Sequence, residues 1–115
     1  MQERREHIRF KAPVLIEFPH PGTMKTERSF TLDISATGLR FPTTVPFKVQ
    51  QEVPLTIHLP FANATFNATG TVVWVREIAR HGATQYEVGL RFRWMDDPDR
   101  QKLLRYFEGL VTSRL

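Results

Sequence analysis

The chain has 115 residues, no cysteine and a formal net charge of +4. This length suits one domain built around a single hydrophobic core. The absence of cysteine excludes disulfides, thiol nucleophiles and thiolate metal sites. Because the sequence opens with charged residues and contains no apolar run near the roughly 18 residues of a membrane-spanning helix, we expect a cytoplasmic protein without membrane insertion.

The basic residues are mainly arginine, which accounts for twelve of the sixteen. The planar guanidinium group pairs bidentately with phosphate or with a guanine edge, and it stacks on flat rings, whereas lysine does neither. The composition therefore favours an anionic partner, although a soluble domain with a mildly basic surface would carry the same charge.

Residues 1–9 are polar and carry no turn or capping signal, so we predict a flexible N-terminal arm. A first strand follows, and every second residue in it is apolar and predicted to face inward; these residues are Phe10, Ala12, Val14, Ile16 and Phe18. The prolines and glycine within residues 19–22 predict a turn, and the polar residues up to 27 predict a loop.

A second alternating stretch begins at Phe30. Its apolar side chains alternate with the polar side chains of Thr31, Asp33 and Ser35, which is the pattern of a half-buried strand. We therefore predict that Asp33 and Ser35 stand side by side on the solvent-exposed face, just before the chain turns. Gly38 suits both a tight turn and the close approach of a ligand, and the next strand starts directly after it.

Three more strands are predicted before the end of the chain. They cover residues 53–59, 64–77 and 86–94, and the last of them has the cleanest alternation of apolar and polar residues. Gly70 interrupts the strand predicted at residues 64–77 and predicts a bend or bulge there.

Both tryptophans fall within these alternating strands. We interpret Trp74 and Trp94 as core residues, because aromatic residues in the apolar register of a strand usually face inward. The rim of a ligand site is the alternative for Trp74.

The last part of the chain changes to a helical period. Asp97 can cap a helix and Pro98 fits its first position. One apolar stripe follows: Leu103, Leu104, Phe107, Leu110 and Val111. We predict a helix over residues 97–113 that packs on the strands.

Six short strands and one terminal helix predict a mainly β fold: a small six-stranded antiparallel barrel with a C-terminal α-helix and a flexible N-terminal arm. The whole chain, residues 1–115, then forms a single domain. Within it, residues 1–9 are the arm, residues 10–95 the barrel and residues 97–113 the helix. An open two-sheet sandwich is the structural alternative.

Two motifs resemble the signatures of the PilZ domain family, bacterial receptors for the second messenger cyclic di-GMP. RxxxR occurs at Arg5 and Arg9, ahead of the first strand, and DxSxxG occurs at residues 33–38. RxxxR alone is a weak signal, since Arg76 and Arg80 have the same spacing. The order and strand context of the two motifs make the pair specific, and the strand at residues 88–92 and the closing helix extend the resemblance.

The resemblance implies cyclic di-GMP as the ligand, with no cofactor and no metal. Arg5 and Arg9 would contact phosphate and guanine and stack on the base, Asp33 and Ser35 would hold the guanine, and Gly38 would leave room for it. Arg4 extends the arginine run; in the family, an arginine at this place accompanies binding of a stacked pair of nucleotides. The chemistry is suitable, because the guanine N7 and O6 acceptors match an arginine fork, while its N1–H and 2-amino donors match a carboxylate.

The resulting hypothesis is a cyclic di-GMP receptor that converts nucleotide binding into a conformational signal to a downstream protein partner. One alternative is a PilZ-like adaptor that acts by protein contact without nucleotide. Another is a barrel that binds single-stranded nucleic acid, which the inward register of the aromatic residues argues against. We expect no enzyme activity, because no nucleophile, base and orienting group fall at a recognisable spacing, and the histidines lack metal-ligand spacing.

Overall fold

The structure is a computed structural model that describes residues 8–60 and 64–112. In this part of the chain, seven antiparallel strands form one curled sheet and a single helix follows them. The elements are β1 (Leu15–Pro19), β2 (Thr26–Phe30), β3 (Asp33–Ile34), β4 (Gly38–Thr43), β5 (Glu52–Leu59), β6 (Ala64–Arg80), β7 (Ala83–Met95) and α1 (Asp97–Thr112). The strands lie side by side in the order β2-β1-β5-β6-β7-β4-β3. The mainly β prediction is confirmed, and one continuous sheet replaces the two sheets of the sandwich alternative.

The strand count differs from the predicted six because the region around Thr31 forms two strands. β2 begins at Thr26, within the predicted loop, and ends at Phe30; β3 begins at Asp33. Between them, the Thr31 hydroxyl donates a hydrogen bond to the Ala12 carbonyl over 2.5 Å and accepts one from the Val14 backbone N–H over 2.9 Å. These bonds to the residues just before β1 satisfy the buried Thr31 hydroxyl.

The curled sheet is joined across its open side by contacts from the start of the chain. Phe10 and Ile34 exchange two backbone hydrogen bonds, of 2.8 and 3.0 Å, so the residues before β1 lie against β3. The Ser29 hydroxyl also donates to the Pro42 carbonyl over 2.6 Å and connects β2 with β4. The predicted inward face of the first strand is confirmed, since its five apolar residues are all buried.

Two irregularities interrupt the pairing of β6 with β7, and each changes the face of a tryptophan. Gly70 pairs with Phe92 while Thr69 pairs with Trp94, so one extra residue of β7 bulges between them. The bend or bulge predicted at Gly70 is therefore confirmed. Because one inserted residue reverses the alternation of side chains, Trp94 faces outward and is 55% exposed.

The second irregularity lies between Val72 and Trp74 of β6. Val72 pairs with Leu90 and Trp74 pairs with Gly89, which leaves Val73 as the extra residue. Val72 is fully buried, whereas Trp74 is 37% exposed. The interpretation of both tryptophans as core residues is wrong, and the two bulges are the reason.

Helix α1 packs on the start of the chain. The Phe107 ring stacks on the Phe10 ring with centroids 4.8 Å apart. Leu103 is fully buried, but Leu104 and Val111 of the predicted stripe are exposed. Only the part of the stripe that faces the sheet is covered. No helix in the described ranges is both long and apolar enough to cross a membrane.

Candidate functional site

The hairpin of β3 and β4 places Asp33 opposite Arg40. Its turn is closed by the Ser35 backbone N–H, which donates to the Gly38 carbonyl over 2.8 Å. The Arg40 Nε donates to Asp33 Oδ2 over 3.0 Å, and Arg40 Nη2 lies at the same distance from that oxygen. One oxygen of the Asp33 carboxylate is therefore already occupied by a charge-assisted hydrogen bond.

The other carboxylate oxygen, Asp33 Oδ1, faces Arg9. Arg9 Nη2 lies 3.2 Å from Oδ1, as an ion pair, yet no described residue donates an aligned hydrogen bond to this buried atom. Arg9 is held there because the neighbouring Phe10 is bonded to Ile34, the residue after Asp33. The site thus contains a buried acceptor with a cation beside it and spare hydrogen-bonding capacity.

Asp33 and Ser35 do not lie on an exposed face, which corrects that prediction. Asp33 is 7% exposed and Ser35 is 1% exposed. The Ser35 hydroxyl accepts a hydrogen bond from the Thr37 backbone N–H over 3.2 Å and lies 3.2 Å from the Thr37 hydroxyl. It therefore stabilises the turn, and its predicted contact with a ligand stays a prediction.

Gly38 is required by packing between two strands. A Cβ at this position would overlap the carbonyl oxygen of Leu90 on β7. β4 can approach β7 closely here only because the side chain is missing. Its predicted role of leaving room for a ligand stays a prediction.

Arg40 is the site residue that the motif analysis missed. It also contacts Glu87 on β7, with 3.3 Å between Arg40 Nη1 and Glu87 Oε1. The same Glu87 oxygen accepts a hydrogen bond from Arg76 Nη2 over 2.6 Å. The position of the turn could have identified Arg40, because a hairpin that closes between Ser35 and Gly38 pairs residue 33 with residue 40.

Trp74 lies in line with this cluster. In neighbouring strands, Trp74 pairs with Gly89, Gly89 pairs with Arg40, and Arg40 pairs with Asp33. A Cβ on Gly89 would overlap the Trp74 indole, so the ring packs directly over that glycine. Directly paired residues share one face of a sheet, and an exposed aromatic ring therefore lies on the same face as the arginine and carboxylate cluster.

Arg4 and Arg5, both predicted site residues, lie outside the described residues. Arg9 and Asp33 are brought into contact, and Ser35 and Gly38 shape the turn beside them. Within residues 8–60 and 64–112, no group of three or more His, Cys, Asp or Glu side chains lies close enough to hold a metal ion.

A curled antiparallel sheet with arginines around a buried carboxylate defines a small β domain with a charged cluster on one face. A comparison with protein-family models matches residues 3–109 to the PilZ domain. The chain therefore belongs to the PilZ domain family. A search of curated protein sequences finds no match.

Several solved structures share the fold. The PilZ domain of YcgR from Escherichia coli, solved with c-di-GMP, superposes with a TM-score of 0.74 at 16% identity over 97% of this chain and 95% of that one. The inhibitor of motility MotI/DgrA from Bacillus subtilis gives 0.75 at 20% identity over 99% of this chain and 55% of that one. The MrkH–c-di-GMP complex from K. pneumoniae gives 0.75 at 15% identity over 98% and 55%. This chain spans about half the length of MotI/DgrA and MrkH, and at these identities the likeness concerns the fold.

Proposed function

We propose that this chain is a receptor domain for cyclic di-GMP. The observation that carries the proposal is Asp33 Oδ1, a buried acceptor that receives no hydrogen bond from the described residues and lies beside Arg9. Membership of the PilZ family and the likeness to PilZ structures solved with c-di-GMP give further support. Membership of this family favours a receptor function over an enzymatic one.

Asp33 would recognise the guanine base. The N1–H and 2-amino groups of guanine are neighbouring donors, and Oδ1, the carboxylate oxygen that Arg40 does not occupy, is free to accept from them. A buried acceptor without a donor costs about 1–3 kcal/mol. Bound guanine would remove that cost, so part of the binding free energy comes from a group that is unsatisfied before the ligand arrives.

The arginines would hold the phosphates and stack on the base. Arg9 is already positioned at the carboxylate, and Arg4 and Arg5 precede it in the chain. We propose that cyclic di-GMP draws residues 1–8 onto the sheet face that carries Arg9 and Asp33, and that this rearranged surface signals to a protein partner in the bacterial cytoplasm. Ordering each residue costs about 1–2 kcal/mol of backbone entropy, so the charge-assisted contacts must exceed several kcal/mol in total before net affinity appears.

A PilZ-like adaptor that signals without nucleotide is the second candidate. The ion pairs of Asp33 with Arg9 and Arg40 favour it, because they neutralise the carboxylate charge without any ligand. The two candidates differ in whether the domain binds cyclic di-GMP at all.

Isothermal titration of cyclic di-GMP into the purified domain tests the proposal, with GTP as the control ligand. We expect micromolar or tighter binding that Arg5→Ala and Asp33→Asn abolish. Arg80→Ala is the matched control, because Arg80 belongs to the second RxxxR spacing and is exposed at the end of β6. Absence of binding heat from the folded, unsubstituted domain would favour the adaptor.

The same titration gives the number of nucleotides bound. We propose a stacked pair of nucleotides per chain, because Arg4 directly precedes the RxxxR motif. A titration that saturates at one nucleotide per chain would exclude the pair.

A further inference from the structure

Five side chains of alternating charge run across the face of the sheet beside the site. Arg9, Asp33, Arg40, Glu87 and Arg76 contact one another in this order, with separations of 3.2, 3.0, 3.3 and 2.6 Å. The last four lie on β3, β4, β7 and β6, which are neighbours in the sheet. We call these five residues the charge row.

Arg40 is the central member of the charge row and is held on both sides. Its Nε and Nη2 face Asp33 Oδ2, and its Nη1 faces Glu87 Oε1. The Glu87 side chain is only 15% exposed and the Arg40 side chain 28%, so the pairing is partly protected from solvent. Because a guanidinium group is rigid and planar, fixing one edge on Glu87 also fixes the direction of the edge that binds Asp33.

The orientation of the Asp33 carboxylate follows from this arrangement. Arg40 holds Oδ2, and the carboxylate plane can rotate only if that charge-assisted hydrogen bond breaks. Oδ1 is consequently aimed away from Arg40, toward Arg9, and is the atom that receives no hydrogen bond from the described residues. The direction in which Asp33 offers its free acceptor is thus determined by a residue outside both sequence motifs.

We propose that Arg40, held by Glu87, is a positioning residue that makes the site selective for guanine. The proposal rests on the proposed function, because it concerns the same nucleotide site. Arg40 does not touch the base; it holds the carboxylate that does. A carboxylate fixed in one orientation discriminates strongly between a base that presents both donors and one that lacks a donor. A carboxylate that rotates adapts to either base.

Hypoxanthine provides the necessary comparison, because it keeps the N1–H of guanine and lacks the 2-amino group. Cyclic di-GMP and cyclic di-inosine monophosphate have the same phosphates and ring. The ratio of their two affinities therefore reports on contacts with the 2-amino group, and the arginine–phosphate contacts cancel from it. Destabilisation of the whole fold would lower both affinities together and leave the ratio unchanged.

The experiment is titration of both nucleotides into the unsubstituted domain and into Arg40→Met, Arg40→Lys and Glu87→Gln. We expect Arg40→Met to reduce the preference for guanine about tenfold, which corresponds to the loss of one charge-assisted hydrogen bond. Arg40→Lys keeps the charge but lacks the planar fork, so it should also reduce the ratio. Glu87→Gln should reproduce part of the effect, and combining it with Arg40→Met should add little.

Arg93→Met and Glu52→Gln are the matched controls. These two residues form another exposed ion pair, between β7 and β5, outside the charge row. Both controls should leave the ratio unchanged. A second readout is thermal unfolding, which identifies any variant that does not fold. If Arg40→Met does not fold, the affinity ratios of Arg40→Lys and Glu87→Gln decide the result.

The outcomes separate this proposal from the proposed function. If the unsubstituted domain binds cyclic di-GMP and the ratio is the same in all the variants, the positioning role is wrong and the receptor function stands. An equal loss of both affinities in the Arg40 and Glu87 variants would likewise overturn the positioning role. If the unsubstituted domain binds neither nucleotide, both proposals fail.

Discussion

Gly38 shows how one backbone atom can constrain a site. It is the last residue of the DxSxxG motif, and its α-carbon faces the Leu90 carbonyl oxygen so closely that a Cβ would overlap it. The same residue accepts the Ser35 backbone hydrogen bond that closes the turn. The contact between β4 and β7 and the shape of the turn are therefore coupled at one position.

Gly38→Ala should destabilise the domain by about 2–4 kcal/mol, because the strands must separate to accommodate the methyl group. Urea unfolding measures the change. Gly109→Ala is the matched control: a Cβ there meets no atom within 4 Å, and alanine in a helix is favoured over glycine by about 1 kcal/mol. Equal stability of Gly38→Ala and the unsubstituted domain would contradict the strand contact seen here.

Glu17 on β1 is a second residue whose hydrogen bonds affect the fold, through the pKa of its carboxyl group. Its Oε2 accepts a hydrogen bond from Arg28 Nε over 2.7 Å, and its Oε1 lies 2.8 Å from His58 Nε2. These hydrogen bonds, chiefly that of Arg28 and then that of His58, lower the pKa of Glu17 below its ordinary value of 4.5.

Since the folded state lowers this pKa, ionised Glu17 stabilises the fold at pH values above its ordinary pKa, and the stabilisation is lost as the pH falls through the lowered value. The stability difference between the unsubstituted domain and Glu17→Gln should therefore shrink as the pH is lowered from about 7 to about 3. Urea unfolding at each pH measures this difference. Arg28→Met, which removes the main cause, should raise the pKa of Glu17 in an NMR titration, and an unchanged value would contradict this account.

At the residue scale, the motif selected Asp33 as a candidate site residue, but alternation placed it on the solvent-exposed face, whereas it is 7% exposed. Alternation predicted the inward face of the first strand, because those five residues need nothing but a strand beside a core. It failed at Thr31, Asp33 and Ser35, which are polar and buried. Each has partners that alternation does not encode. Thr31 is hydrogen-bonded to backbone groups of residues 12 and 14, and Ser35 to its own turn. Asp33 forms ion pairs with two arginines, although its Oδ1 receives no hydrogen bond from the described residues.

At the scale of elements, two bulges determine what the sheet presents to solvent. Val73 and Arg93 are the extra residues, and each precedes a tryptophan that the bulge turns outward. Valine is a good strand former, so nothing at Val73 indicates an irregularity in the sequence. The glycine at position 70 did indicate one, and that prediction succeeded. The exposure of Trp74 was missed because the bulge at Val73 has no sequence signal. The exposure of Trp94 was missed because the extra residue opposite Gly70 lies on β7, at Arg93.

The two tryptophans should respond differently to ligand. Trp74 lies in line with Gly89, Arg40 and Asp33, whereas Trp94 pairs with Thr69 beyond the other bulge. In Trp94→Phe, which keeps only Trp74, saturating cyclic di-GMP should change the emission, because the base would approach the indole. In Trp74→Phe the emission should stay constant. A response from Trp94 alone would place the ligand elsewhere on the sheet.

At the scale of the whole molecule, the start of the chain and the β3–β4 hairpin form one structural unit although they are distant in sequence. The backbone bonds between Phe10 and Ile34 connect them, and the stacking of Phe107 on Phe10 brings helix α1 to the same place. Ligand contacts with Arg9 and Asp33 would therefore act on both sides of this junction.

Amide exchange tests whether ligand reorganises the start of the chain. Residues 2–8 should exchange more slowly with saturating cyclic di-GMP, because bound phosphates would order the backbone that carries Arg4 and Arg5. Asp33→Asn with the same nucleotide is the control and should show no slowing. Exchange that is equally fast with and without ligand in the unsubstituted domain would contradict the rearrangement.

Because of the Phe10–Ile34 bridge, the geometry of the site does not depend on the length of the turn between β1 and β2. Arg9 and Asp33 are each next to one end of this bridge, while the turn between β1 and β2 lies at the opposite end of those strands. Extra residues inserted at Pro21 and Gly22, which are exposed, would lengthen the connection without moving the two halves of the site relative to each other. The β1–β2 turn is thus a place where a reporter or a second domain could be grafted into the chain while the site keeps its shape.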